Sequence, residues 1–168
     1  MGTIAFVLAD DFEDSEFSTP KAALTEAGHQ VEVIGSEHGV VCGKHQTEVH
    51  IDKTPAETDA DRYDALVVPG GFSPDHLRTD DSIVDFVRTM GGRDVPLAAV
   101  CHAPSLLIEA GLVAGRRMTS YPSIRTDLRN AGAEVVDEEV VVDGNLITSR
   151  NPDDLPAFSN ALVTALMS

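Results

Sequence analysis

The sequence predicts an α/β sandwich, a mostly parallel β-sheet with helices on both faces, in one domain over residues 1–168. Three observations predict it. Short, unbroken apolar runs at residues 3–8, Ala65–Val68 and Leu97–Val100 have strand length and lack polar alternation, as strands buried on both faces should. Segments of helical length separate them, which is the alternation that gives a parallel sheet. The chain has 168 residues, of which 42% are hydrophobic, sufficient for one core that buries about 70% of the unfolded surface.

In order, residues 3–8 are the first strand. A helix follows over 17–27, with Pro20 near its first turn and Gly28 at its stop. Residues 30–34 are a second strand. Residues 39–51 alternate around Gly43-Lys44, which predicts a hairpin or irregular strand pair. Ala65–Val68 runs into Pro69-Gly70-Gly71, a strand that ends in a loop of unusual backbone freedom. A helix over 80–90 is capped by Thr79 or Asp80 and stopped by Gly91-Gly92. After Leu97–Val100 comes a short helix closed by Gly111, a brief strand at 118–120, and a helix over 124–130. Residues 140–142 and 146–148 flank Asp143-Gly144, a favoured hairpin turn, and residues 155–167 form an amphipathic helix. No repeat, linker or low-complexity stretch interrupts this order.

Composition narrows the function. Twelve basic against 28 acidic residues leave a net charge of −16, which argues against nucleic acid or an anionic membrane as partner. Only three of the basic residues are lysine, Lys21, Lys44 and Lys53; acid-rich and lysine-poor together predict a halophile-like surface. No apolar run approaches the roughly 18 residues of a membrane span, and no basic leader precedes the first strand. The expectation is a cytoplasmic protein with Cys42 and Cys101 reduced.

In open parallel sheets function gathers beyond the carboxyl ends of the strands, and three loops are predicted there: residues 9–14, residues 69–75 and the turn at Cys101. The turn is the most informative. Leu97–Val100 feeds Cys101-His102-Ala103-Pro104 and a helix at once, so a thiol stands at the apex of a strand–turn–helix elbow. Such an elbow crowds the residues two before and two after the nucleophile, and both are alanine, Ala99 and Ala103. The helix start aims free N–H groups at the sulfur, which favours thiolate. The plainer reading is a buried, inert cysteine beside a histidine that caps the helix.

A nucleophilic thiol needs a base, an oxyanion site and an orienting group. His102 is adjacent, and no histidine follows it in the chain, so an arrangement with a downstream catalytic histidine is excluded. His76 is the one other histidine near a site loop. The acidic loop Asp10-Asp11-Phe12-Glu13-Asp14 supplies a carboxylate, and Glu13 is the candidate for reaching the thiol. Ionised, it would raise the thiol pKa; protonated, it would donate a hydrogen bond to the thiolate. Gly70 and Gly71 offer unhindered N–H groups for an oxyanion site shared with the His102 backbone. No Cys/His cluster supports zinc, and neither a P-loop nor a dinucleotide fingerprint is present, so no metal or cofactor is expected.

The motifs ADDFEDSEF, VVPGGFSPDHLR, AAVCHAPSLL and TSYPSIRTDLRNAGAEVVDEEVVVDGNLITSRNPDDLPAF resemble the ThiJ/PfpI family over essentially the whole chain, closest to its PfpI intracellular-protease branch. The resemblance implies a flavodoxin-like three-layer sandwich, related to the class I glutamine amidotransferase domain. It implies Cys101 as nucleophile, His102 beside it, Glu13 on the thiol, and backbone at Gly71 and His102 lining the oxyanion site. Tyr121 matches a tyrosine near the cysteine in that branch and is a candidate substrate contact, with burial in the core as its alternative. Where the branch carries a glutamate, this chain has Asp75, one methylene shorter, as the possible triad acid acting across a subunit contact. The function so implied is a cysteine hydrolase, either an intracellular peptidase or a deglycase/glyoxalase acting on carbonyl substrates such as methylglyoxal and its protein adducts, in a dimer or larger ring. The alternative is a non-enzymatic stress protein, a chaperone or a redox sensor through Cys101.

Overall fold

A strand buried on both faces sends alternate residues to opposite layers, and the central sheet does so throughout. The computed structural model describes residues 1–167. Its main sheet holds β1 (Thr3–Val7), β2 (Gln30–Ile34), β5 (Ala65–Val68), β6 (Leu97–Val100), β9 (Val141–Asp143) and β10 (Leu146–Ser149), in the order β2-β1-β5-β6-β10-β9. All neighbours are parallel except the β9–β10 hairpin. Ala5, Val7, Leu66, Val68, Leu97 and Ala99 enter one core; Ile4, Phe6, Ala65, Val67, Ala98 and Val100 enter the other.

Helices α1 (Asp14–Glu26) and α6 (Leu155–Leu166) pack together on the second of these faces. Helices α2 (Ser73–Leu77), α3 (Asp81–Gly91), α4 (Pro104–Glu109) and α5 (Arg125–Asn130) cover the first. This is the three-layer, flavodoxin-like sandwich that the sequence predicts. Two small ribbons lie outside it: the hairpin of β3 (Val40–Cys42) and β4 (Glu48–His50), and the pair β7 (Arg117–Met118) and β8 (Glu134–Val135).

Two local differences from the sequence reading matter for the site. Helix α1 begins at Asp14, three residues before the predicted start, because Asp14 and Glu16 suit the positive end of a helix; Pro20 therefore sits in its second turn. The stretch after Gly71 is not a loop throughout. It becomes α2, with Pro74 in the first turn, where a proline costs no hydrogen bond.

Candidate active site

Loops after β1, β5 and β6 converge at one end of the sheet. Cys101 has φ +64°, a left-handed conformation uncommon for a residue with a side chain, as an elbow nucleophile requires. The turn is over-determined: the Cys101 N–H donates to the Ser149 carbonyl at 3.0 Å, and the Cys101 carbonyl accepts the Tyr121 N–H at 2.9 Å. Gly71 has φ +76°, and a Cβ there would stand 2.5 Å from the Asp11 carbonyl oxygen. Gly70 is closed differently. Its Cβ would meet Glu16 Oε1 at 2.6 Å and Cys101 Cβ at 2.9 Å. Backbone can approach the sulfur only because both residues are glycine.

The carboxyl at the thiol belongs to Glu16, and the expectation of Glu13 is corrected. Glu16 is fully buried, and its Oε1 accepts the Gly70 N–H at 2.8 Å. Oε2 is a buried oxygen without a well-aligned partner, while the Cys101 side chain interacts with the same carboxyl. Glu13 precedes the helix, half-buried, with its carboxylate 3.9 Å from Lys44 Nζ and 3.8 Å from His45 Nε2. The missed signal was an inward stripe. With α1 beginning at Asp14, Glu16 heads the buried series Glu16, Pro20, Leu24 at four-residue spacing.

Burial lifts the Glu16 pKa to about 8, even though the Gly70 N–H works the other way, so the carboxyl is protonated at neutral pH. Burial, and then the charge of Glu16, push the Cys101 thiol up to about 12, against the lowering action of the His102 and Gly71 N–H groups. The helix start, expected to favour thiolate, is thus outweighed by desolvation. Ionisation of this thiol needs a nearby proton acceptor, and His102 stands in place, with Nδ1 3.2 Å from Cys101 Sγ. Burial, then the cation of Lys44, hold the imidazole below its usual pKa, which keeps it neutral.

The other nitrogen of His102, Nε2, lies 3.1 Å from Ser123 Oγ, and the ring stacks on Tyr121 with centroids 4.7 Å apart. Tyr121 is 39% exposed, so it lies over the site and not in the core. Asp75 lines the same cavity of about 600 Å³ as His102, Gly71 and Phe72, but its carboxylate makes no hydrogen bond to His102 among the described residues. His76 faces outward, 3.3 Å from the exposed Asp11 carboxylate.

The β3–β4 hairpin is bolted to this corner. Asp14 accepts the His45 and Thr47 N–H groups at 2.9 and 3.0 Å, Lys44 N–H donates to the Phe12 carbonyl at 3.0 Å, and Lys44 Nζ lies over the Phe72 ring. Glu13, Asp14 and His45 are the one group among the described residues with ligand atoms close enough for a metal, within 4.8 Å of one another. Both Asp14 oxygens are already taken by the hairpin N–H groups, so the trio reads as a structural clasp.

Residues 2–165 match the sequence profile of the DJ-1/PfpI family. An uncharacterized protein of Staphylococcus epidermidis is 48% identical over 167 residues, covering 97% of this chain and 96% of that one. Among solved structures, a two-domain protein from Anabaena variabilis with DJ-1/ThiJ/PfpI-like and ferritin-like domains superposes with TM-score 0.97 at 40% identity, over 99% of this chain. This chain spans 48% of that protein's length. Drosophila melanogaster DJ-1beta gives TM-score 0.91 at 31% identity, over 98% of this chain and 90% of that one.

Proposed function

The chain belongs to the DJ-1/PfpI family, and on that premise we propose that it is a cysteine-nucleophile enzyme acting on small carbonyl compounds, 2-oxoaldehydes such as methylglyoxal and their early adducts. The observation that carries this reading is the position of Cys101. A strained elbow holds its sulfur against two backbone N–H groups, a protonated carboxyl and a neutral imidazole. The thiol proton passes to His102 Nδ1 as Sγ bonds to the carbonyl carbon. The carbonyl π pair moves to oxygen, which the Gly71 and His102 N–H groups receive. Return of the proton gives a hemithioacetal. With a 2-oxoaldehyde, moving the aldehydic hydrogen as a proton from C1 to C2, and the hydroxyl proton from the C1 oxygen to the C2 oxygen, leaves a thioester of a 2-hydroxy acid. Water cleaves it and restores the thiol. One water is added, and C1 is oxidised by the two electrons that reduce C2, so no external oxidant is needed.

The cavity beside His102, about 600 Å³, suits a small adduct better than a folded chain. Peptide hydrolysis through an acyl-enzyme uses the same first step and is the second substrate class. Asp75 lines that cavity on the His102 side. No helix among the described residues is long and apolar enough to cross a membrane.

The test is lactate formation from methylglyoxal by the wild type and Cys101→Ala, side by side in high salt. Turnover that disappears with the thiol is the expected result. Wild-type protein that forms no lactate and cleaves no peptide, yet gains peroxide-dependent mass at Cys101, would replace this reading with redox sensing.

A further inference from the structure

His102 is gripped on the side away from the sulfur by a turn to which the sequence alone assigns no role. The turn is the 3₁₀ segment Pro122–Ile124, which presents Ser123 Oγ to His102 Nε2 at 3.1 Å just after Tyr121 stacks on the ring. A chain of charges fixes it from behind. Arg125 donates through Nε to the Ser120 carbonyl at 3.3 Å and through Nη2 to Asp137 at 3.1 Å. Asp137 also accepts from Arg150 Nη1 at 3.0 Å, and Arg150 grips both oxygens of the buried Asp154 at 2.9 and 3.0 Å. Arg150 follows Ser149, whose carbonyl holds the Cys101 N–H. Nucleophile and histidine are therefore braced from one frame.

We propose that Ser123 is the positioning residue of His102: its hydroxyl accepts the Nε2–H, leaving the Nδ1 lone pair to take the Cys101 proton, and the Arg125–Asp137–Arg150–Asp154 chain holds the turn that presents it. The chemistry favours a hydroxyl here. An imidazole that must accept a proton from a thiol at Nδ1 has to carry its own hydrogen on Nε2, and an acceptor at Nε2 selects that tautomer. A carboxylate in the same place would also stabilise the imidazolium. A serine orients the ring and leaves it neutral. The proposal builds on the thiol chemistry above, but its test does not depend on any substrate.

The experiment follows the ¹⁵N shifts of His102 and the pH profile of Cys101 alkylation by iodoacetamide, in wild type, Ser123→Ala, Ser123→Thr, Asp137→Asn and Asp75→Asn. Expected are a wild-type Nε2–H tautomer, its loss in Ser123→Ala with alkylation slowed about tenfold, rescue by threonine, and a smaller loss in Asp137→Asn. Ser123 is exposed, so its alanine variant keeps the fold. An unchanged tautomer and alkylation profile in Ser123→Ala would overturn the proposal. So would a tautomer that responds to Asp75→Asn in its place, assigning the role to an acid from a second copy. Should wild type turn over no carbonyl while the tautomer still follows Ser123, the function proposed above falls and this inference stands.

Discussion

Glu16 and Cys101 act on one another in opposite senses: the carboxylate charge raises the proton affinity of the thiol, and the nearby thiol lowers that of the carboxyl. With burial dominating both, the pair holds its protons until something accepts one. Glu16→Gln keeps an oxygen for the Gly70 N–H and removes the charge. Its Cys101 alkylation profile should shift to lower pH than that of wild type in alkaline solution. An identical profile would show that Glu16 is never ionised beside a thiolate.

The same pair sets a pH dependence of stability. The folded-state pKa of Glu16, about 8, lies above its ordinary 4.5, so the stability it contributes is complete below pH 4.5 and is lost as pH rises through about 8. The full loss approaches about 5 kcal/mol, at 1.36 kcal/mol for each pH unit between the two values. Urea unfolding of wild type and Glu16→Gln at pH 5, 7 and 9 reads the difference, from which the shared effect of surface charge cancels. The variant should gain on wild type at each step upward; a constant gap would place the carboxyl in contact with water.

Gly71→Ala should damage both fold and function. The new methyl meets the Asp11 carbonyl oxygen at 2.5 Å and the Glu13 N–H nitrogen at 2.6 Å, at a φ of +76° that alanine resists. A cost of about 2 kcal/mol or more is expected, together with about a hundredfold loss of turnover, because the Gly71 N–H that faces the sulfur moves. Thermal unfolding and kcat measure the two losses. Wild-type turnover in a destabilised Gly71→Ala would remove this amide from the oxyanion site.

The sheet and the elbow were legible because each is written locally. Apolar runs such as Leu97–Val100 need only their own residues to announce a buried strand, and Cys101 with alanine two residues to either side, Ala99 and Ala103, announces the turn. The carboxyl was not. Choosing between Glu13 and Glu16 turns on where α1 begins, and a three-residue error there rotates the wrong side chain inward. Ser123 lay further out of reach, since its contact with His102 spans 21 residues and depends on how β10 and the segment after β7 are tied together.

Asp14 links the hairpin to the site, and its removal should be felt at the thiol. Burial alone would raise its pKa, yet hydrogen bonds from Thr47 and His45 outweigh it and hold the carboxyl below its usual range. The stability it supplies is therefore present above pH 3.8 and lost as pH falls. Asp14→Ala orphans the N–H groups of His45 and Thr47, at a cost of about 1–3 kcal/mol. It also frees Lys44, whose cation favours the ionised forms of both Cys101 and Glu16. The Cys101 alkylation midpoint should rise in this variant and recover in Asp14→Asn, which keeps one acceptor. A midpoint unmoved by either change would detach Lys44 from the site's electrostatics.

Salt should stabilise this protein, and two opposing effects decide by how much. A net charge of −16 on 168 residues repels itself in the folded state, and screening relieves that repulsion. Screening also weakens surface ion pairs such as Arg78–Glu109 and Arg117–Glu138, but exposed pairs contribute only about 0.2–1 kcal/mol each. The best-built ionic unit, Arg150 on the buried Asp154, is the least screened. Repulsion over the whole surface therefore outweighs the pairs, and Tm should climb by several degrees between 0.1 M and 2 M KCl, at about 3 °C per kcal/mol for a chain of this size. Sodium and potassium chlorides should act alike if screening is the cause. A flat or falling Tm would mean that the acidic surface is compensated locally by its arginines, and the halophile-like reading of the composition would fall with it.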